Sequence, residues 1–90
     1  MDKIIITVIG KDTVGIIAKV CTFLSDKQVN ILDISQTIVQ DYFNMMMIVD
    51  ISHSVCSFED ISLGLDKVGE GIGVVIKCQR EEIFTMMHRV

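Results

Sequence analysis

The chain has 90 residues, of which 50% are hydrophobic and 22% are charged, and its formal net charge is −4 at neutral pH. This length supports one domain, since either half alone would be too small to bury a stable core, and the hydrophobic share excludes a disordered segment. The acidic balance argues against binding to a phosphate backbone, which needs clustered Lys and Arg, so no nucleic-acid partner is expected.

The composition also favours a β-sheet in a cytoplasmic protein. Ile and Val together number 26 against 4 Leu, and β-branched side chains suit a pleated surface. No segment approaches the roughly 18 apolar residues of a membrane span, and the first residues show no secretory signal, so we expect no membrane partner and a cytoplasmic location. Cys21, Cys56 and Cys78 lack CxxC spacing, which predicts reduced thiols and no metal or cofactor.

The first third of the chain predicts a strand followed by a helix. Lys3 to Ile9 is an apolar run typical of a strand buried on both faces. The segment Gly10-Lys11-Asp12-Thr13 interrupts it, and Asp12 or Thr13 is the predicted N-cap of a helix that begins at Val14. Apolar residues then recur at helical spacing in two rows: Val14, Ile17, Ala18, Cys21 and Leu24, and Ile16, Val20 and Phe23.

The middle of the chain predicts a β-hairpin. Val29 to Gln40 alternates apolar and polar residues as a half-exposed strand does. Asp41-Tyr42 is the predicted tip, and Phe43 to Ile51 is the predicted return strand. Its odd-numbered residues share one face, the predicted core face: Phe43, Met45, Met47, Val49 and Ile51.

The last third predicts a helix, a strand and a terminal helix. Ser57 followed by Asp60 resembles a capping box, and Gly69 or Gly71 can close the helix that it starts. The fourth strand is predicted over Ile72 to Gln79. Residues 79–90 are predicted to form a C-terminal helical extension, with Ile83, Met86, Met87 and Val90 on one side.

The element order β-α-β-β-α-β predicts an α+β, ferredoxin-like sandwich within one domain, residues 1–90. In that fold, four antiparallel strands carry two helices on one face, and here a short C-terminal helix is added. The other face would expose apolar residues such as Ile5, Met46 and Ile48. We therefore expect a homo-oligomer, most simply a homodimer.

Several activities of this fold are disfavoured by the residues at the first loop. A metal carrier needs a thiol pair there, an acylphosphatase-like enzyme needs an Arg, and an RNA-binding version needs aromatic residues on the central strands. The loop GKDTVG contains neither Cys nor Arg, and the acidic chain has only four Phe and one Tyr. His53 and Cys56 could ligate a metal or act as base and nucleophile, but two groups do not complete a site.

The strand-to-helix junction Gly10 to Ile16 is the informative motif. Unpaired N–H groups at a helix N-terminus attract a carboxylate, and Gly15 would allow a ligand or a second chain to approach the backbone. Asp12 could accept a hydrogen bond from an ammonium group, and Asn30, at the start of the second strand, is expected to offer both a donor and an acceptor nearby. Equally, Gly15 could serve only packing, Asp12 only capping, and Asn30 only the preceding turn.

The stretch IIITVIGKDTVGIIAKV from Ile4 to Val20, the VNI at residues 29–31 and the element order resemble an ACT domain. The tail REEIFTMMHRV resembles that of stand-alone, uncharacterised (UPF-type) bacterial and archaeal ACT proteins. The resemblance implies amino acid binding between two domains. Val14 stands where many members have Pro, and Gln28 stands where Gly usually closes the first helix. The implied ligand-binding residues are Asp12, Thr13, Val14, Gly15, Ile16, Asn30 and Ile31.

The leading hypothesis is therefore a non-catalytic regulatory module, most simply a homodimer, which binds a small molecule such as an amino acid and signals to a partner protein. One alternative is a structural assembly protein that binds no ligand. A metal- or thiol-dependent enzyme that uses His53 and Cys56 is a more distant alternative.

Overall fold

A computed structural model describes residues 2–82. Its elements follow the predicted order β-α-β-β-α-β, which confirms the ferredoxin-like fold. The predicted helix over residues 83–90 lies outside the described residues. The elements are β1 (Lys3–Lys11), α1 (Ile16–Asp26), β2 (Asn30–Val39), β3 (Tyr42–Asp50), α2 (Phe58–Ile72) and β4 (Val74–Arg80).

The four strands form one antiparallel sheet in the order β2-β3-β1-β4. β1 lies between β3 and β4 and pairs from Lys3 opposite Asp50 to Lys11 opposite Tyr42. β2 is an edge strand, and its pairing with β3 is interrupted by a bulge between Ile31 and Asp33. The hairpin turn is formed by Gln40 and Asp41, one residue earlier than predicted, with Gln40 at a left-handed φ of 55°.

The core lies between the sheet and the two helices. The predicted core face of β3 is confirmed, because Phe43, Met45, Met47, Val49 and Ile51 are all buried. The two-residue alternation along β3 therefore predicted correctly which of its side chains face the core. The other large, fully buried side chains are Ile4, Ile6, Val8, Ile16, Val20, Leu24, Ile61 and Leu65.

Helix α1 begins two residues later than predicted, and its predicted N-caps are wrong. The N-cap is Gly15, which has a left-handed φ of 93° and provides no side-chain hydrogen bond. The Thr13 hydroxyl donates to the Lys11 carbonyl instead of accepting from the helix. The chain after the helix reverses at Gln28, whose φ of 58° is the left-handed conformation that glycine usually supplies.

Helix α2 starts as predicted but ends later. The Ser57 hydroxyl accepts from the Asp60 amide, which confirms the capping residue. The helix runs through Gly69 and Gly71 and closes at Gly73, a left-handed residue whose N–H donates to the Gly69 carbonyl. The prediction of a close at Gly69 or Gly71 was wrong because only Gly73 takes the left-handed conformation that a glycine C-cap requires.

Two glycines permit close packing around Val74 at the start of β4. A Cβ atom at Gly10 would lie 2.7 Å from Val74 Cγ1, and one at Gly69 would lie 2.7 Å from the Val74 carbonyl oxygen. Real Cβ atoms do not approach other atoms so closely. These two positions therefore allow β1 and α2 to pack against the same residue of β4.

The sheet face away from the helices is partly exposed, as predicted, but Ile5 is not. Ile5 is 5% exposed because strands on both sides of β1 flank it, through Ile48 and Gln79. Met46 is 40% exposed. Edge strand β2 is more open than the half-exposed strand that was predicted, and its exposed large apolar residues are Leu32, Ile34, Ile38 and Val39.

Candidate functional site

The loop from Asp12 to Gly15 connects β1 to α1 and is anchored at one point to the β2–β3 hairpin. The Asp12 amide donates to the Asp41 carbonyl at 2.7 Å. The Asp12 carboxylate and the Thr13 side chain are exposed, and Val14 is 97% exposed. The loop thus presents its backbone and a carboxylate outward from the C-terminal end of β1.

The first turn of α1 has no side-chain cap. The space next to Gly15 is open, because a Cβ atom there would meet no heavy atom within 4 Å. Free amide groups and the helix dipole give such an end a partial positive charge, which favours a carboxylate. The anion-binding role that the sequence suggested for this end stays a prediction.

Ile16 and Ile31 take part in the core rather than in an exposed site. Ile16 is 2% exposed, so its side chain is unavailable to a ligand and only its amide could contact one. Ile31 is half-buried and packs against the core cluster. Of the predicted site, the structure brings Asp12, Thr13, Val14, Gly15 and Ile16 together in one segment.

Asn30 lies at the other end of the sheet. It pairs with Asp50 of β3, which pairs with Lys3 at the start of β1, whereas the loop follows Lys11 at the end of β1. The eight residue steps between Lys3 and Lys11 correspond to about 26 Å. The sequence-based expectation that Asn30 lies near the loop is therefore wrong for a single chain, because β2 begins where α1 ends.

His53 and Cys56 lie in the loop between β3 and α2. His53 is exposed, whereas Cys56 is half-buried against the core and its amide donates to the Ser54 hydroxyl. The Ser54 hydroxyl in turn donates to the Lys27 carbonyl at 2.7 Å, which fastens this loop to the end of α1. Within residues 2–82, no group of three or more His, Cys, Asp and Glu side chains could hold a metal ion.

A cluster of charged groups at the Asn30 end of the sheet was not found from the sequence. The Asp50 carboxylate accepts from the Ser52 and Asp2 amides, and these hydrogen bonds, the Ser52 bond foremost, lower the pKa of Asp50. The Arg80 guanidinium lies 3.1 Å from an Asp2 oxygen and 4.8 Å from the centre of the Phe58 ring. Asp2 and Arg80 are 78 positions apart, so no local pattern could have revealed their contact.

A cleft between α1 and α2 was also missed. It has a volume of about 470 Å³, and its signal in the sequence was the second apolar row of α1, which includes Phe23. The Phe23 ring packs on Gly64 of α2, where a Cβ atom would lie 2.4 Å from the ring. The residues that line the cleft are Ala18, Lys19, Thr22, Phe23, Asp26, Lys67, Val68, Gly71 and Ile72.

The family model of the ACT domain matches residues 2–79. The chain belongs to the ACT domain family. It is 61% identical over 90 residues to a UPF0237 protein of Bifidobacterium longum, and the match covers all of both chains. This likeness confirms the resemblance to stand-alone ACT proteins that the sequence suggested.

Solved ACT structures share the fold. An ACT domain protein from Streptococcus pneumoniae superposes with a TM-score of 0.81 at 38% identity, covering 92% of this chain and 93% of that one. The regulatory subunit of aspartate kinase from Thermus thermophilus gives a TM-score of 0.68 at 24% identity, covering 87% of this chain and 50% of that one. Among the helices of residues 2–82, none is long and apolar enough to cross a membrane.

Proposed function

We propose that this ACT domain is a non-catalytic regulatory module that binds a small amino acid between two copies of the chain. ACT domains are regulatory modules that bind small molecules, often amino acids, and they commonly form oligomers. The observation that carries the proposal for this chain is the uncapped start of α1 beside Gly15, where the backbone is open to an anion.

The positions of Asn30 and the loop support a site shared between copies. A free amino acid is far shorter than the span of about 26 Å between the two ends of β1, so one chain cannot offer both groups to one ligand. If two β2 strands pair antiparallel about a two-fold axis, the Asn30 end of one copy lies beside the hairpin end of the other. The Asp12 loop is hydrogen-bonded to that hairpin through Asp41.

The chemistry at this interface fits both ends of an amino acid. The α-carboxylate would take the amides at the start of α1, and the Asp12 carboxylate would accept from the α-ammonium group. Asn30 from the second copy would add a donor and an acceptor. Ile16 and Ile31 would act through their backbones and through packing, because their side chains are wholly or partly buried.

The exposed edge strand supports association of two copies. β2 has ten residues and carries exposed Leu32, Ile34 and Ile38. An unpaired strand edge with apolar side chains gains stability by pairing with another strand.

The cytoplasmic location that we propose is supported by the state of the cysteines. All three are free, as a reducing compartment would leave them.

Binding is tested by isothermal titration calorimetry and thermal shift with each of the twenty amino acids. A ligand at about 100 times its dissociation constant raises the unfolding free energy by about 2.7 kcal/mol. Gly15→Asp introduces a like charge where the carboxylate would bind and a side chain where φ is 93°, so it should abolish binding. Lys77→Gln, which makes the same change of net charge at an exposed residue of β4, is the control that should bind normally.

Oligomeric state separates the proposal from the assembly alternative. Light scattering should show a dimer in the unmodified protein and in Gly15→Asp alike. A dimer that binds none of the amino acids would contradict the proposal and favour a purely structural role for the exposed β2 edge. Retention of binding by Gly15→Asp would contradict the placement of the site.

A further inference from the structure

The cleft between α1 and α2 combines an apolar floor with charged groups at its rim. Its volume of about 470 Å³ is in the range of small-molecule sites. Phe23 and Val68 are half-buried and pack against the core, as does Ile72, so the floor is apolar and held in place. The rim carries two lysines, Lys19 and Lys67, and one carboxylate, Asp26.

The two lysines face each other across the cleft. α1 and α2 run antiparallel, because α1 leads from the Lys11 end of the sheet to the Asn30 end and α2 leads back. Phe23 lies against Gly64. Lys19 precedes Phe23 by about 6 Å of helix, and Lys67 follows Gly64 by about 4.5 Å. Both lysines therefore lie on the same side of that contact, and both line the cleft.

Asp26 lies at the other end of the cleft, seven residues or about 10 Å along α1 from Lys19. No ion pair joins any of these three side chains to another of residues 2–82. The cleft is thus cationic where Lys19 and Lys67 line it, and it carries a carboxylate toward the Asn30 end of the sheet. That carboxylate does not act alone, because the Lys27 ammonium lies 5.7 Å from the centre of the Phe23 ring. The cationic end is notable in a chain of net charge −4, because the protein as a whole repels anions.

Gly71 gives a second, independent reason to regard the cleft as a site. Glycine inside a helix costs about 1 kcal/mol relative to alanine, and α2 contains three glycines. Gly64 makes room for the Phe23 ring and Gly69 makes room for Val74, whereas a Cβ at Gly71 would meet no heavy atom within 4 Å. Within residues 2–82, no packing contact accounts for Gly71, yet it lines the cleft.

We infer that the α1–α2 cleft binds a small monocarboxylate with an apolar tail. The carboxylate lies between Lys19 and Lys67 beside the open position of Gly71, and the tail lies on Phe23 and Val68. A second carboxylate at the end of the tail would lie against the apolar floor of the cleft, so a dicarboxylate binds more weakly. This site is separate from the loop at Gly15 and does not depend on the function proposed for that loop.

The test is a titration of the ¹⁵N-labelled full chain with sodium hexanoate at constant ionic strength, followed by NMR. Amide shifts should change together over Ala18–Asp26 and Lys67–Ile72. Hexanol, which lacks the charge, and adipate, which carries two, should bind more weakly. In the series butanoate, hexanoate, octanoate, each added methylene should tighten binding by up to about fourfold.

Variants locate the site. Lys19→Gln and Lys67→Gln should each raise the dissociation constant about threefold, and the double variant about tenfold. Gly71→Leu should remove binding by filling the cleft. Lys77→Gln is the matched control, because Lys77 is an exposed lysine of β4 on a face that the cleft does not reach. Circular dichroism establishes that each variant is folded.

Three results would overturn the inference. Shifts that spread over the surface or centre on Arg80 would show that hexanoate binds elsewhere. Equal weakening by Lys77→Gln would show non-specific attraction. A change of oligomeric state in the double lysine variant, without any response to hexanoate, would show that the cleft is a protein interface.

Discussion

Gly69 and Gly71 form a matched pair for testing how tightly α2 packs on β4. They lie two residues apart in the same helix, but their surroundings differ. A Cβ at Gly69 would lie 2.7 Å from the Val74 carbonyl oxygen and 3.2 Å from Ile76 Cγ1. A Cβ at Gly71 would meet nothing within 4 Å. Gly69→Ala and Gly71→Ala therefore make the same chemical change in two different environments.

The expected effects have opposite signs. Alanine stabilises a helix interior by about 0.5–1 kcal/mol relative to glycine, and Gly71 is in the last turn, so Gly71→Ala should stabilise by about 0.5 kcal/mol. At Gly69 the same gain is opposed by an overpacking cost of about 1–3 kcal/mol, because the Val74 carbonyl is backbone and cannot rotate away. We expect Gly69→Ala to destabilise by about 1 kcal/mol.

Urea unfolding followed by far-UV circular dichroism measures the difference. The two variants should differ by about 1.5 kcal/mol, which corresponds to roughly 8 °C in Tm for a domain of this size. The slope of the unfolding free energy against urea concentration should be the same for both variants. All samples need the same protein concentration, because association of chains adds to the measured stability. If Gly69→Ala were as stable as Gly71→Ala, the close approach of α2 to Val74 would be refuted.

Three further predictions concern single residues. Gln28→Gly should stabilise the fold by about 0.5–1 kcal/mol in urea unfolding, because Gln28 has a φ of 58° that glycine adopts without strain; a loss of stability would contradict this. Burial raises the pKa of the Cys78 thiol to about 11 in the folded protein. The stability that comes from keeping this thiol protonated is therefore complete below its ordinary pKa of 9.0 and is lost as the pH rises from 9.0 to about 11. Thermal unfolding of Cys78→Ala should therefore depend less on alkaline pH, and identical slopes would count against the shift. The hydrogen bonds from Ser52 and Asp2 lower the pKa of the Asp50 carboxyl in the folded protein. The stability that these hydrogen bonds supply is therefore present above the ordinary pKa of 3.8, and it is lost as the pH falls from 3.8 through the lowered pKa. Asp50→Asn should be less stable at neutral pH and show a shallower acid transition, measured by the same thermal unfolding.

Local patterns predicted the elements because local forces decide them. Alternation in β3 identified its buried face, and Ser57 was recognised as a cap because its hydroxyl and the Asp60 amide lie within one turn. The order of elements then predicted the fold, since few topologies connect two β-α-β units through a hairpin. The ends of the helices were predicted less well, since Gly15 caps the start of α1 and Gly73 closes α2, and neither was the predicted cap.

The candidate site was less predictable because its geometry depends on distant contacts. The loop conformation involves the bond from the Asp12 amide to the Asp41 carbonyl, 29 positions away. The position of Asn30 follows from strand register, which places it beside Asp50 rather than beside the loop. Likewise, Gly15 was recognised as important, but its left-handed conformation displaced the expected caps Asp12 and Thr13.

The open edge of β2 has a consequence for the protein outside any assembly. Its ten residues present backbone donors and acceptors with which another extended chain can pair. The exposed side chains of Leu32, Ile34 and Ile38 would stabilise such a pairing by burying apolar surface. The bulge after Ile31 and the exposed charge of Asp33 interrupt this surface. Chains whose β2 edge is not yet paired are therefore the form most prone to fibrous self-association, and removal of the Asp33 charge would shorten the lag before fibres appear.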